Sequence, residues 1–203
     1  MRIKICGITN YEDAKLCCDL GTDALGFIFT EKSKRKVSID AAKVIIKKLP
    51  AFVSKIGVFV NEDLNTINWI SKEIGLTGGQ LHGEETPEFA ESVNLPVIKT
   101  FRINSEFNFS VLDKFDGCKF LLDTFSTEDY GGTGQTFNWE IIPVELRNQI
   151  ILAGGISIDN IEHIFNNVQP GAVDLSSSVE KYPGKKDEVK LKNFFQKINS
   201  LRR

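Results

Sequence analysis

The hydrophobic positions of this chain follow two periods that alternate from one end to the other. Short runs rich in β-branched and other apolar residues are typical of strands. Between them lie stretches in which apolar residues recur every three or four positions, as in helices with one buried face. The pattern predicts eight strands, at residues 2–6, 23–29, 53–60, 77–82, 97–101, 119–123, 149–153 and 172–176.

The predicted helices begin at recognisable signals. Polar capping residues, acidic residues in the first turn and proline at the first helical position all favour a helix start. The signals are Asn10 with Asp13, Asn61 before Glu62-Asp63, Thr86-Pro87, and Ser157-Ile158-Asp159 before the seventh helix. Residues 187–201 carry regularly spaced apolar side chains and predict a last helix that closes the outer layer.

Strands that alternate with helices form parallel βαβ units. Eight such units of about 25 residues each predict the α/β class and, within it, the (β/α)8 or TIM barrel, near the lower size limit of that fold. We expect a single domain over residues 1–203, because no linker-like change of composition divides the chain. One long irregular segment, residues 124–137, interrupts the pattern, and segments of this kind are usually functional.

Composition excludes several classes of protein. A net charge of −2 and a pI near 5.8 argue against binding of nucleic acid or of membrane surfaces. Neither a signal peptide nor an apolar stretch long enough to span a bilayer is recognisable, so a cytoplasmic protein is expected. The four cysteines follow neither disulfide nor zinc spacing. We expect Cys17, Cys18 and Cys118 to be small buried residues, and we expect no metal site.

Two residues at predicted strand ends could carry acid–base chemistry. Cys6 ends the first strand and Asp123 ends the sixth. In this barrel the active site forms where strands end, so a thiol and a carboxylate would face one mouth. From the residues alone, a buried structural thiol and a helix-capping aspartate remain equally good interpretations.

Two further strand ends resemble anion cradles. Gly154-Gly155 follows the seventh strand, and Ser176-Ser177-Ser178 follows the eighth, where a short extra helix could begin. Backbone N–H groups at helix N-termini bind phosphate, and barrels often place such a site after strands seven and eight. The two segments together favour a phosphate site over ordinary turns.

The alternation of side chains along strands adds an expectation about the barrel interior. If Cys6 points inward, so does Lys4, and if Ser176 points inward, so does Asp174. Strands one and eight are neighbours in a closed barrel, and lone buried charges are costly. We therefore expect Lys4 and Asp174 to form an interior ion pair, with one of them facing solvent as the alternative.

Four other residues are assigned to ordinary roles. We expect His82, at the end of the fourth strand, to be a polar residue of the mouth rather than a metal ligand. His163 is expected on the surface of a helix. Trp69 and Trp139 are expected to pack in the core, because each lies in an amphipathic helix pattern. The chain has no P-loop and no dinucleotide-binding fingerprint, so no nucleotide cofactor is expected.

Several blocks, in order over nearly the whole chain, resemble the phosphoribosylanthranilate isomerase family of tryptophan biosynthesis. The blocks in the first half are Lys4-Ile5-Cys6-Gly7-Ile8-Thr9, Gly26-Phe27-Ile28-Phe29, Ser33-Lys34-Arg35, Gly57-Val58-Phe59-Val60-Asn61 and Gln80-Leu81-His82-Gly83. Those in the second half are Leu122-Asp123-Thr124, Gly131-Gly132-Thr133-Gly134, Leu152-Ala153-Gly154-Gly155-Ile156, Val173-Asp174-Leu175-Ser176-Ser177 and Pro183-Gly184-Lys185-Lys186-Asp187. No single block is specific, but their combination is.

The resemblance implies an Amadori rearrangement of N-(5-phosphoribosyl)anthranilate into 1-(2-carboxyphenylamino)-1-deoxyribulose 5-phosphate, without metal or organic cofactor. It implies that Asp123 is the general acid and Cys6 the general base, and that Arg35 holds the anthranilate carboxylate. The phosphate would be bound by Gly154, Gly155, Ser176, Ser177 and Ser178, with the loop that contains Gly132 folding over the site. We expect a monomer or a homodimer.

This chemistry carries expectations about protonation. A thiol base must be deprotonated, so cationic groups and helix N-termini should lower the pKa of Cys6. The acid must start protonated, which burial of Asp123 beside an anionic substrate would favour.

The chain departs from the family pattern at Ser178, Asn138 and Lys36. Ser178 replaces a usual glycine, so it bears on the phosphate site. Asn138 replaces the more usual aspartate, and either can cap a helix.

Two alternative functions remain: a non-catalytic phosphosugar-binding barrel, and the related isomerase of histidine biosynthesis.

Overall fold

The computed structural model describes residues 1–124 and 137–202. In this part of the chain, eight parallel strands pair in sequence order and close into a barrel, so the predicted (β/α)8 fold is confirmed. The strands are β1 Arg2–Cys6, β2 Ala24–Ile28, β3 Ser54–Phe59, β4 Gly78–Leu81, β5 Val97–Ile103, β6 Lys119–Thr124, β7 Ile150–Leu152 and β8 Ala172–Leu175. A small antiparallel hairpin of β9 Glu180–Tyr182 and β10 Lys185–Lys186, which was not predicted, follows β8.

Strand ends differ from the prediction by one or two residues. His82 and Ala153 lie one residue beyond β4 and β7, yet each still donates its backbone N–H to the neighbouring strand, at 2.8 Å. β5 and β6 run further than predicted, to Ile103 and Thr124. His82 therefore lies at the carboxyl end of the barrel, where strand pairing stops.

Helices cover the outside of the barrel. They are α1 Tyr11–Leu20, α2 Ile39–Ile46, α3 Leu64–Ile74, α4 Pro87–Ser92, α5 Val144–Arg147, α6 Ile161–His163 and α7 Glu188–Leu201. Short 3-10 helices occupy Phe109–Lys114, Trp139–Ile141 and Ser177–Val179, and a π-helical turn, Ile164–Val168, continues α6. The regular helices are thus longest in the first three units and at the C-terminus.

Three of the five predicted helix starts hold and two are corrected. Asn10, Thr86 and Asp187 cap α1, α4 and α7 through their side chains. At α3 the cap is Asp63 rather than a residue before it, because Asn61 adopts a left-handed conformation with φ of 50°. The seventh helical segment turns at Ser157, whose carbonyl accepts from Ile161, but its α-helical part begins only at Ile161.

The core lies between the strands and the helices, and two expectations about it are wrong. Trp139 is buried as expected, but Trp69 is 56% exposed. The buried face of α3 is formed by Ile67, Ile70 and Ile74, and Trp69 projects from the other side of the helix. Among the cysteines, Cys17 is buried, whereas Cys18 and Cys118 are only partly covered. All four are free thiols.

Candidate active site

A cavity of about 380 Å³ opens at the carboxyl ends of the barrel strands. It brings together the predicted site residues that the structure describes: Cys6, Arg35, Asp123, Gly154, Gly155, Ser176, Ser177 and Ser178. Gly132 and its neighbours lie outside the described residues. Residues that are more than a hundred positions apart therefore share one site, as expected where parallel strands end together.

Cys6 ends β1 with its side chain buried in the barrel mouth. Gly26 on β2 makes room for it, because a Cβ atom there would lie 2.7 Å from the Cys6 sulfur. Burial raises the pKa of the thiol, and the positive charges of Lys4 and Lys186 only partly oppose this. The expectation of a lowered pKa is thus wrong for the protein without substrate.

The predicted interior ion pair is confirmed. Lys4 Nζ lies 2.6 Å from Asp174 Oδ2, and the two side chains are 4% and 9% exposed. Burial works to lower the pKa of Lys4, but the charges of Asp174 and Cys6 raise it above its usual value. Burial also raises the pKa of Asp174. The second carboxylate oxygen, Oδ1, has no hydrogen-bond partner among the described residues.

Asp123 occupies the opposite side of the mouth, within β6. Its Oδ1 accepts a hydrogen bond from the backbone N–H of Thr124 at 2.8 Å, and its Oδ2 lies 3.5 Å from His82 Nε2. The next described helix is capped by Asn138, so Asp123 does not serve there as a helix cap. His82 is a polar residue of the mouth, as predicted.

His82 belongs to a chain of buried polar groups that sequence reasoning missed. Gln80 Nε2 lies 2.9 Å from His82 Nδ1 and donates to Thr100 Oγ1 at 3.1 Å. The other ring nitrogen of His82, Nε2, faces Asp123. The alternation of Gln80 and His82 along one strand was the available signal, since both side chains point to the same face.

The Gly154-Gly155 turn requires glycine for two reasons. Both residues have positive φ, 80° and 66°, a region that L-residues with side chains rarely adopt. A Cβ atom on Gly154 would also lie 2.7 Å from the backbone nitrogen of Thr124 and 2.8 Å from Asp123 Oδ1. The turn therefore packs directly against the carboxylate of the candidate acid.

The serine segment presents unused hydroxyl groups to the same cavity. Ser177–Val179 forms the short 3-10 helix that follows β8, as predicted. The side-chain oxygens of Ser176 and Ser178 are buried and have no hydrogen-bond partner among residues 1–124 and 137–202. Buried hydroxyls normally have partners, so these two are suited to bind a ligand.

Arg35 reaches the cavity from the loop after β2, where its guanidinium group is held by a buried carboxylate. Its Nε and Nη2 atoms both lie 2.9 Å from Glu180 Oε2. Glu180 also accepts from Lys186 Nζ at 3.0 Å, and Lys186 Nζ donates to the Cys6 carbonyl at 2.6 Å. The hairpin of β9 and β10 thus connects Arg35 to the end of β1.

Sequence reasoning missed the roles of Glu180 and Lys186. The available signal was the Pro183-Gly184 turn, which predicts a hairpin and therefore the pairing of the residues on either side of it. Lys186 is indeed opposite Glu180 in that hairpin.

The described residues contain no group of three or more His, Cys, Asp or Glu side chains that could hold a metal ion. Among the same residues, no helix is long and apolar enough to span a bilayer. The side chains that line the cavity include a thiol, carboxylates, an imidazole and cations.

A family model described as N-(5'-phosphoribosyl)anthranilate isomerase matches residues 3–197. The chain belongs to this family. Its members are isomerases of tryptophan biosynthesis, so the family assigned from the sequence blocks is confirmed.

Individual relatives match this chain over nearly their whole length. An N-(5'-phosphoribosyl)anthranilate isomerase of Pelobacter propionicus is 47% identical over 197 residues, which cover 97% of this chain and 94% of the relative. The crystal structure of the phosphoribosyl anthranilate isomerase from Thermus thermophilus covers 100% of both chains at 37% identity, with a TM-score of 0.90. A further isomerase structure, solved with reduced 1-(o-carboxyphenylamino)-1-deoxyribulose 5-phosphate, covers 98% of this chain and 99% of its own at 36% identity, with a TM-score of 0.84.

Proposed function

We propose that the protein converts N-(5-phosphoribosyl)anthranilate into 1-(2-carboxyphenylamino)-1-deoxyribulose 5-phosphate by an Amadori rearrangement. One observation carries the proposal: a thiol and a carboxylate, Cys6 and Asp123, line one cavity together with the Gly154-Gly155 turn and serine hydroxyls that have no partner among the described residues. An acid, a base and an anion cradle are what this reaction of a phosphorylated aminoaldose needs.

The family resemblance assigns one proton transfer to each of these two residues. Asp123 donates a proton to the furanose ring oxygen, the C1′–O bond breaks, and the ring opens to a Schiff base. Cys6, as the thiolate, then removes the C2′ proton, and the resulting enolamine tautomerises to the aminoketone. One proton enters and one leaves, so neither a redox partner nor a hydride carrier is required.

The phosphate serves as a remote handle that fixes the reacting carbons between the acid and the base. We assign it to the Gly154-Gly155 turn and to Ser176, Ser177 and Ser178. The hydroxyls of Ser176 and Ser178, which have no partner among the described residues, support this assignment. Gly132 is proposed to contribute from the loop after β6. Ser178, where the family usually has glycine, adds one hydroxyl donor to the cradle.

Arg35 is proposed to bind the anthranilate carboxylate, although its guanidinium group is already paired with Glu180. Glu180 occupies the side of the guanidinium group that presents Nε and Nη2. The end that presents Nη1 is left to face a second carboxylate, and a guanidinium fork can bind two such partners at once. Glu180 would then orient the fork before substrate arrives.

The function is tested by mixing the purified protein with phosphoribosylanthranilate generated in situ and following its conversion to the aminoketone. Turnover at a rate typical of enzymes, at least about one per second, is expected. Binding without turnover would favour the non-catalytic barrel instead. The family match leaves the isomerase of histidine biosynthesis without support. A cytoplasmic location and a monomeric or homodimeric state stay predictions.

Arg35→Ala should raise KM for the anthranilate substrate, because the carboxylate loses its cationic partner. Product analogues that bear the carboxylate should cease to inhibit. The fold should survive, since Glu180 keeps Lys186 as a partner at 3.0 Å. Lys34→Ala serves as the control, because it removes a neighbouring positive charge that also lines the cavity. It should raise KM less than Arg35→Ala does. An unchanged KM, or equal binding of analogues without the carboxylate, would contradict the assignment of Arg35.

Sulfate or inorganic phosphate should raise Tm, because it binds only the folded protein. The rise should saturate and exceed that of chloride at matched ionic strength, since screening alone has no such selectivity. Gly155→Val should remove most of the selective rise by blocking the approach of the backbone. Ser178→Gly should weaken it, because a free buried hydroxyl is lost. A crystal grown in sulfate with this turn empty and the anion elsewhere would refute the assignment.

A further inference from the structure

The ion pair of Lys4 and Asp174 needs an explanation beyond folding. Buried ion pairs contribute little net stability and are often replaceable by apolar residues. Two other ion pairs of the described residues are as deeply buried, and both have a visible structural task. Glu180, paired with Lys186, also holds Arg35. Glu85, paired with Lys99 at 2.7 Å, also accepts the backbone N–H groups of Asn61 and Gly83. Asp174 shows no comparable task, since it lines the cavity and its Oδ1 atom has no partner among the described residues.

Lys4 lies directly beneath the candidate base. It precedes Cys6 by two positions on β1, so both side chains point into the barrel. Its ammonium group is fixed from the neighbouring strand, where Lys4 and Asp174 are opposite each other in register. An ammonium group held on the same inward face of β1 as the Cys6 sulfur favours the thiolate through its charge and its hydrogen-bond donors.

Other charges also face the thiol. Asp174 on β8 disfavours the thiolate, and Lys186 on β10, which is bound to the Cys6 carbonyl, favours it. Asp123 and His82 line the same cavity from β6 and from the end of β4. Of the two cations, Lys4 shares the inward face of β1 with the sulfur, whereas Lys186 is bound to the backbone carbonyl of Cys6.

We propose that Lys4 is a positioning residue: its ammonium group stabilises the thiolate of Cys6, and Asp174 holds that ammonium group in place. When the base forms, the S–H bond gives its proton to water in the cavity and the sulfur keeps the electron pair. The inference rests on the proposed role of Cys6 as base. It explains how a thiol whose burial disfavours ionisation can still supply a thiolate.

The test measures the thiol directly and needs no substrate. Iodoacetamide alkylates only thiolates, and mass spectrometry can follow the peptide that contains Cys6 across a range of pH. Lys4→Met keeps the length of the side chain and removes the charge. A neighbouring opposite charge is generally worth about one to three pKa units, so alkylation below the wild-type midpoint should slow at least about tenfold.

A double variant guards against misfolding. Lys4→Met with Asp174→Asn leaves no lone buried charge, and its midpoint should still rise, because the ammonium charge and its hydrogen-bond donors are lost together. The matched control is Lys99→Met with Glu85→Gln, which removes an equally buried pair. It should lower Tm without moving the Cys6 midpoint.

Kinetics separate this inference from the proposed function. Both Lys4 variants should lower kcat at least about tenfold, with KM nearly unchanged, in proportion to the lost thiolate. A midpoint that stays level or falls in the double variant would overturn the role of Lys4. A risen midpoint with unchanged kcat would support the stabilisation of the thiolate by Lys4 and would overturn the role of Cys6 as base.

Discussion

Cys6→Ala and Asp123→Asn are each expected to lower kcat by about 100- to 10,000-fold, the usual contribution of a general acid or base. KM should change little, because neither side chain is proposed to hold the phosphate or the anthranilate carboxylate. Both substitutions fit the space of the original side chain, so the barrel should remain folded. Steady-state kinetics and thermal unfolding of the purified variants provide the measurement.

The control for the thiol is Cys17→Ala. Cys17 is as buried as Cys6 but lies on α1, away from the cavity residues, so its loss should lower Tm and leave kcat unchanged. If Cys6→Ala or Asp123→Asn kept more than about a tenth of the wild-type kcat, the contribution would fall below that of a general acid or base. The role assigned to that residue would then be wrong.

Gly154→Ala is expected to damage both stability and activity. The backbone has φ of 80° at this position, so a side chain costs about 1–2 kcal/mol of strain. The added Cβ would also lie 2.8 Å from Asp123 Oδ1, and Asp123 or the turn must move. Because a displacement of about 1 Å can cost about 100-fold in rate, kcat should fall by roughly that factor.

The matched control is Gly21→Ala. Gly21 has φ of 95° at the end of α1, and no atom lies within 4 Å of a Cβ built there. This variant meets the same kind of backbone strain without touching the site. Urea unfolding should show a smaller loss of stability than for Gly154→Ala, with kcat unchanged. Equal losses of stability in the two variants, together with full activity of Gly154→Ala, would contradict the close packing of the turn against Asp123.

Much of the site was predictable because strand periodicity is a local property. Cys6 and Asp123 end predicted strands, and parallel strands in a barrel bring their carboxyl ends to one mouth. The helices of the later units were less predictable. Between β7 and β8, for example, the α-helix covers only Ile161–His163 before it becomes a π-helical turn. Helix propensity is a weak guide in such a short segment, because most of the stability of a helix in a protein comes from its tertiary packing.

The residues that modulate the site were less accessible to sequence reasoning. Glu180 meets Arg35 across 145 positions of the chain, and nothing in the local pattern of either residue specifies that contact. Trp69 was predicted to be buried but is exposed. An amphipathic pattern identifies a helix more reliably than it identifies which residues form the buried face. The direction of the Cys6 pKa depends on burial, which balances against cations from two different strands.

The sequence by itself determined the eight strands and the barrel they form, and it predicted the pairing of Lys4 with Asp174. These follow from alternation with a period of two and from the pairing of the first and last strands of a closed barrel. Only the tertiary structure decided that Glu180 holds Arg35, that Gly154 packs on Asp123 and that burial raises the pKa of Cys6. Each of these depends on distances between segments far apart in the chain, and charge and packing energies change steeply with distance.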